Sequence, residues 1–192
     1  MSKWLCLIVL ALSAGVHAAP PASAEDDVAR FMDEKGLLNK LELVRNTVAD
    51  KAHTVADKAS NLVVTAMGSL GVPYRRGGNS AETGFDCSGF VKAMYEQTIG
   101  LVLPRRANEQ AAATQAIDKK ELQPGDLVFF NTMKRAFSHV GIYVGEGKFI
   151  HSPKPGAQVR VEDMGGSYWR QRFNGARRVL SLAPAEPAPI QP

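Results

Sequence analysis

The 192-residue sequence has little cysteine, few aromatic residues and no long apolar run, and neither sign of charge dominates it. Its longest apolar run, residues 4–12, is well short of the roughly 20 residues of a membrane-spanning helix, which excludes a polytopic membrane protein. Lys and Arg number 23 against 19 Asp and Glu, so the formal net charge is +4. Because the basic residues are scattered, we expect no nucleic-acid partner. Hydrophobic residues make up 45%, which excludes a disordered chain and is typical of a soluble globular protein.

Residues 1–18 predict an export signal. Lys3 supplies a positive start, the apolar run follows, and a small-x-small pattern ends at Ala18. A retained membrane anchor is the alternative, but the apolar run is too short to favour it, so we expect no stable membrane anchor. Cleavage near Ala18 would leave a periplasmic or secreted protein. Cys6 would depart with the signal, and Cys87 would then be a single thiol with no disulfide partner.

The rest of the chain divides by pattern into three parts. Residues 19–62 are predicted to form a Pro/Ala linker and an amphipathic helical segment, residues 63–182 one globular domain, and residues 183–192 a Pro-rich disordered tail. In the helical segment, apolar residues recur at spacings of three and four from Leu41 onwards, and the hexapeptide 47–52 is repeated seven residues later. Both a coiled-coil seam and a helix lying on the following domain produce this stripe. Its many alanines favour the second interpretation.

The globular domain is predicted to be α+β. Residues 87–97 have the pattern of a helix with one apolar face. Five short runs with β character follow, at residues 126–130, 139–145, 148–152, 159–162 and 176–180. Helices that come first and strands that come later are typical of an α+β domain with an antiparallel sheet.

Cys87 is the first candidate for chemistry, because it follows a glycine-containing loop at the start of the predicted helix. The unpaired N–H groups and the dipole at a helix N-terminus favour a thiolate, so we expect the pKa of this thiol to be lowered. The alternative is a small buried hydrophobic side chain, as most lone cysteines are. The polar neighbours Asp86 and Ser88 argue against that alternative.

A nucleophilic thiol needs a base, and a predicted hairpin supplies two histidines. Residues 144–148 read as a tight turn between two apolar strands. Pairing residue 144 with 148 makes His139 face Pro153, and a shorter turn would bring His139 directly opposite His151. Since side chains in a strand alternate with period two, either register puts both imidazoles on one face of the sheet.

The roles follow from this arrangement. His139 would take the proton of Cys87, and His151 would fix the tautomer and orientation of His139. Backbone N–H groups at the helix start would stabilise the oxyanion, and the Tyr74 hydroxyl is a candidate to assist them. An aromatic ring that merely packs the loop is an equally good reading of Tyr74. The spacing of Cys87 and the histidines fits no metal site, so we expect neither a metal nor an organic cofactor.

Six segments, in chain order, resemble those of the NlpC/P60 cysteine peptidases: residues 71–78 (GVPYRRGG), 86–91 (DCSGFV), 103–105 (LPR), 124–130 (PGDLVFF), 139–145 (HVGIYVG) and 149–152 (FIHS). The resemblance covers about residues 63–180. It implies a papain-like α+β fold in which the Cys-bearing helix packs on an antiparallel sheet, so that residues 63–182 are the catalytic domain. It also implies hydrolysis of peptide bonds in peptidoglycan stem peptides, often next to diaminopimelate.

The resemblance assigns site residues as well. It makes Cys87 the nucleophile, His139 the base and His151 the third, polar member, and Tyr74 matches the active-site tyrosine. In some members the positions of Asp86 and Ser88 contact substrate, whereas Arg105 of the LPR motif is expected to be structural. Nothing in the resemblance names a protein partner.

Three other functions remain as alternatives. An amidase that cuts the sugar–peptide bond would use the same thiol chemistry. A non-catalytic wall-binding protein would retain the fold without the chemistry, but Cys87 and both histidines are present. A related acyltransferase acting on lipids would carry the histidine before the cysteine, and here Cys87 comes first.

Overall fold

The computed structural model describes residues 36–179. The chain divides into two compact units, residues 1–45 and residues 46–192. Of the first unit the structure describes residues 36–45, where helix α1 begins and where Leu41 and Val44 are exposed.

Several predictions from the sequence fall outside the described residues. They are the export signal of residues 1–18 with Cys6, the Pro/Ala linker and the Pro-rich tail of residues 183–192. The boundaries of the predicted domains therefore stay predictions. No helix within residues 36–179 is long and apolar enough to cross a membrane.

The described residues form four α-helices and eight β-strands, in an α+β arrangement as predicted. The helices are α1 (Leu37–Gly68), α2 (Cys87–Ile99), α3 (Ala107–Ala112) and α4 (Ser167–Arg172), with a 3-10 turn at Lys119–Glu121. The strands are β1 (Asn79–Ser80), β2 (Gly84–Phe85), β3 (Gln115–Ile117), β4 (Leu127–Phe130), β5 (His139–Gly145), β6 (Lys148–His151), β7 (Arg160–Asp163) and β8 (Phe173–Arg178).

Six strands form one antiparallel sheet in the order β3-β8-β4-β5-β6-β7, and β1 and β2 form a separate ribbon. The central strand β4 reads Leu-Val-Phe-Phe and is buried along its whole length, because both faces of the sheet are covered. Leu127 and Phe129 face the core that also holds Phe90 of α2. Val128 and Phe130 face a second core, built around Phe149 and Trp169. Successive side chains of β4 therefore enter the two cores alternately, and a strand buried on both faces consists of apolar residues throughout.

The apolar stripe of α1 packs over only part of its length. In the second unit, Leu62 and Ala66 are fully buried in the core with α2, whereas Val48 and Ala52 are exposed. The C-terminal end of the segment therefore packs on the domain, whereas residues 46–54 are all exposed, and Ala52 among them lines a groove with Pro124.

Candidate active site

Cys87 is the first residue of α2, as the sequence predicts, and Asp86 is the N-cap of this helix. The Asp86 side chain caps the helix by accepting a hydrogen bond of 2.8 Å from the backbone N–H of Gly89. It also forms an ion pair with Arg105 at 2.7 Å, which ties the LPR segment to the start of α2. A side chain at residue 89 would lie 2.1 Å from the carbonyl oxygen of Gly78, so only glycine lets the loop cross here.

The Cys87 thiol is half-buried, and its environment differs from the predicted one. Burial and the charge of Asp86 raise the pKa of Cys87 to about 11. The backbone N–H groups of Val140 and Ser88 act in the opposite direction, but they are outweighed. The expectation that the helix N-terminus lowers the pKa is therefore wrong, because the thiolate would be poorly solvated and close to a carboxylate. The resting group is a neutral thiol beside the first residues of β5.

The hairpin of β5 and β6 brings the two histidines together. Ile142 pairs with Ile150 in register, and an irregularity at Gly145 precedes the two-residue turn. This register puts Gly141 across from His151, so the two histidines are diagonal neighbours rather than directly opposed as a shorter turn would make them. A side chain at residue 141 would lie 2.6 Å from the Phe149 ring and 3.2 Å from Cβ of His151. The missing side chain leaves the space across which the rings of His139 and His151 meet.

The two imidazoles form a short buried contact. Nε2 of His139 and Nδ1 of His151 are 2.6 Å apart, and the rings are nearly perpendicular. Trp169 stacks on the ring of His139 and meets that of His151 edge-on, with ring centroids 5.6 and 5.1 Å apart. Burial, followed by the proximity of His151, lowers the pKa of His139 to about 3, and burial also lowers the pKa of His151. Both rings are therefore neutral near pH 7, and His139 has Nδ1 as its only remaining ring nitrogen.

A cleft of about 590 Å³ runs past these groups. Cys87, His139 and Tyr74 all line it, with Trp169 at its far side. The site consists of a thiol at a helix start, a neutral histidine that lines the same cleft, and a second histidine in contact with the first.

The model of the NlpC/P60 family matches residues 71–178 of the chain. The chain belongs to the NlpC/P60 family. It is 38% identical over 173 residues to the murein DD-endopeptidase MepH of Escherichia coli K12, across 86% of this chain and 64% of that relative. It is 32% identical over 190 residues to a probable endopeptidase, the NlpC homolog of Haemophilus influenzae, across 94% of this chain and 100% of that relative.

A solved structure shows the same fold. The crystal structure of an NlpC/P60 family protein from Bacillus cereus superposes with a TM-score of 0.59 at 38% identity, over 64% of this chain and 40% of that one. The chain thus spans about two fifths of that protein and just under two thirds of MepH.

Three residues that the resemblance singled out lie around Cys87 in the NlpC/P60 domain. Tyr74 is half-buried, and burial, then the proximity of Cys87 and Asp86, raises the pKa of its hydroxyl. Ser88 is buried and accepts a hydrogen bond of 3.1 Å from Arg105. Both carboxylate oxygens of Asp86 are engaged, by the helix start and by Arg105. Their roles towards an oxyanion or a substrate remain predictions.

Glu162, a residue of β7, belongs to the site although no sequence pattern predicts it. Its Oε2 lies 3.6 Å from Nε2 of His151 and accepts a hydrogen bond from the indole N–H of Trp169. Its Oε1 accepts a hydrogen bond of 2.5 Å from Arg160. The contact with His151 and these hydrogen bonds lower the pKa of Glu162 to about 2. The sequence predicts the strand at residues 159–162, but the pairing of that strand with β6, which brings Glu162 to His151, is seen only in the structure.

Proposed function

We propose that the chain is an exported cysteine endopeptidase that hydrolyses peptide bonds in peptidoglycan stem peptides, next to diaminopimelate, through Cys87, His139 and His151. The observation that carries the proposal is the buried pair of imidazoles, joined at 2.6 Å, of which His139 lines the same cleft as Cys87. The name of MepH, a murein endopeptidase, supports the substrate class. The predicted signal of residues 1–18 supports export.

The proposed reaction proceeds in two covalent steps. The Cys87 sulfur attacks the carbonyl carbon of the peptide while its proton passes to Nδ1 of His139, because Nε2 is held by His151. Backbone N–H groups at the start of α2, with the Tyr74 hydroxyl, stabilise the oxyanion. His139 then protonates the departing amine, which leaves a thioester on Cys87. Water attacks the thioester, its proton passes to His139, and His139 returns a proton to the released sulfur.

His151 acts on this reaction through His139 and is a positioning residue. Its ring holds Nε2 of His139 at 2.6 Å, which leaves Nδ1 of the same ring as the nitrogen that takes the proton of Cys87. Because the resting thiol is neutral, the proton leaves Cys87 as the substrate is attacked rather than beforehand.

The charge of the cleft supports an anionic peptide. Beyond Cys87 the cleft continues along Arg76, Arg105 and Arg135, and on the other side it meets Lys154 and the ion pair of Arg160 with Glu162. Within residues 36–179, neither Arg76 nor Arg135 forms an ion pair with a carboxylate. Stem peptides carry free carboxylates at glutamate and diaminopimelate, and unpaired arginines attract such groups.

Digestion of purified peptidoglycan tests the proposal. The purified chain and its Cys87→Ala variant are each incubated with peptidoglycan, and the soluble fragments are identified by mass spectrometry. We expect peptide fragments with a new terminus beside diaminopimelate from the wild type and none from Cys87→Ala. Intact stems released from the sugar would instead establish the amidase, and binding without any release would establish a wall-binding protein.

A further inference from the structure

The carboxylate of Glu162 lies beside His151, on the side of that ring away from His139, and Glu162 also lines the cleft. His151 is fully buried, and its Nε2 has no hydrogen-bond partner within 3.5 Å among the described residues. The nearest acceptor is Oε2 of Glu162, at 3.6 Å. Glu162 is itself fixed, since Arg160 and Trp169 each donate a hydrogen bond to one of its oxygens.

His139, His151 and Glu162 follow one another in a row, and the carboxylate at its end determines which ring nitrogens carry protons. An ionised carboxylate can only accept hydrogen bonds. The favoured tautomer of His151 therefore carries its proton on Nε2, the nitrogen that faces Glu162. A neutral imidazole has one N–H, and Nδ1 of His151 must then be the acceptor in the 2.6 Å contact. His139 therefore donates from Nε2, and its Nδ1 carries a free lone pair.

The reverse order of protons would disable the base. If His151 carried its proton on Nδ1, His139 would accept at Nε2 and carry a proton on Nδ1, where it could not take one from Cys87. Two lone pairs, those of His151 Nε2 and of the Glu162 carboxylate, would then face each other in a buried place.

We propose that Glu162 is a positioning residue that fixes the tautomers of both histidines, so that His139 presents an unprotonated Nδ1 to Cys87. The inference rests on the proposed function for its effect on rate. Its statement about tautomers stands on the geometry alone. Two imidazoles in contact can carry their protons in either order. Glu162 favours one of these two orders.

Two readouts on the full chain test the proposal. The first is ¹⁵N NMR of the imidazole nitrogens, which distinguishes protonated from unprotonated ring nitrogens at each histidine. The second is kcat and KM on a soluble stem peptide. The variants are Glu162→Ala and Glu162→Gln. Glu146→Gln is the matched control, because Glu146 is an exposed glutamate at the β5–β6 turn whose contact is Lys148.

We expect the wild type to show protonated Nε2 and unprotonated Nδ1 on both His139 and His151. In Glu162→Ala both tautomers should be populated, and kcat should fall about 10- to 100-fold, the loss typical of groups that orient the imidazole of a metal-binding histidine. Glu162→Gln keeps one acceptor oxygen, so its tautomer populations and its kcat should lie between those of the wild type and those of Glu162→Ala. KM should change little, and Glu146→Gln should match the wild type in every readout.

Two results would overturn the proposal. One is a Glu162→Ala variant whose histidine tautomers and kcat equal those of the wild type. The other is a rise in KM with unchanged kcat and tautomers, which would make Glu162 a substrate contact. If Glu162→Ala does not fold, the tautomers of Glu162→Gln decide the question. If Cys87 proves not to be the nucleophile, the tautomers still test Glu162, so the two failures are distinguishable.

Discussion

At the scale of single residues, burial decides the charge of the site. His139 and His151 are almost inaccessible to water, and the pKa of His139 is lowered to about 3. In the unfolded chain a histidine has a pKa of about 6.5. Between these values the unfolded state binds more protons than the folded state, so stability falls as the pH falls below about 6.5. Glu162 adds a further loss below its ordinary pKa of 4.5, down to about 2.

The first prediction is a loss of stability in mild acid that depends on the histidine pair. The wild-type midpoint of urea unfolding should fall between about pH 7 and pH 4, and His139→Gln should lose less over the same interval. Parallel curves for the two proteins would contradict the assignment of the buried neutral pair as the cause.

The second prediction concerns His151. An asparagine at residue 151 can still accept the hydrogen bond from Nε2 of His139 through its amide oxygen, whereas an alanine cannot. We expect His151→Asn to keep appreciable kcat on a stem peptide and His151→Ala to lose most of it. Equal kcat values for the two variants would show that His151 does not orient His139.

At the scale of elements, the hairpin of β5 and β6 sets the geometry of the site through a missing side chain. A methyl group at residue 141 would lie 2.6 Å from the Phe149 ring and 2.8 Å from the carbonyl oxygen of Ile150. The strand that carries His151 would have to move to make room for it.

The third prediction follows from that contact. Gly141→Ala should lower the free energy of unfolding by about 1–3 kcal/mol, the usual cost of overpacking, and should reduce kcat as well. Gly68→Ala is the matched control, because nothing lies within 4 Å of a methyl group at this helical residue. Gly68→Ala should leave kcat unchanged and keep or raise stability. Urea unfolding of both variants measures the difference, and equal stabilities would contradict the packing argument.

The elements that could be predicted are those with a sustained pattern of apolar residues or with a capping residue at their start. Helix α2 has a capping Asp86 and an apolar face, and β4, β5 and β6 have clear apolar runs. Strands β1, β2 and β3 have two or three residues each, too few to show any period. The sequence predicts the last strand to begin at residue 176, three residues after the start of β8. The first residue of β8, Phe173, is fixed by pairing with Phe130, a long-range contact that no local pattern shows.

The residues of the site divide in the same way. Cys87, His139 and His151 could be found because a local pattern, a helix start or a hairpin, positions each of them. Glu162 could not, because its contact with His151 depends on pairing between β6 and β7 across the eight-residue connection 152–159. The raised pKa of Cys87 was also out of reach, since it depends on how deeply the tertiary structure buries the thiol.

At the scale of the whole molecule, a net charge of +4 names no ligand, but its distribution is informative. Four arginines line the cleft beyond Cys87, and one carboxylate, that of Asp86, stands among them and is paired with Arg105. Basic residues that are scattered in the sequence therefore form a cationic surface next to Cys87.

The fourth prediction tests that surface. Arg76→Gln and Arg135→Gln should each raise KM for an anionic stem peptide several-fold with little change in kcat, because the arginines bind carboxylates away from the reacting atoms. Added salt should raise the wild-type KM more than that of the variants. Arg170→Gln, an exposed arginine outside the cleft, is the control. A wild-type KM that does not change with salt would contradict the prediction.

The most direct test of the central claim is the mass of the intact protein during turnover. The chain is mixed with a stem peptide, quenched in acid within the first turnovers, and measured by mass spectrometry. We predict an adduct whose mass equals the acyl half of the peptide, located on Cys87 by fragmentation and missing from Cys87→Ala. Peptide hydrolysis without any adduct, at the same rate in Cys87→Ala, would contradict thiol catalysis by this cleft.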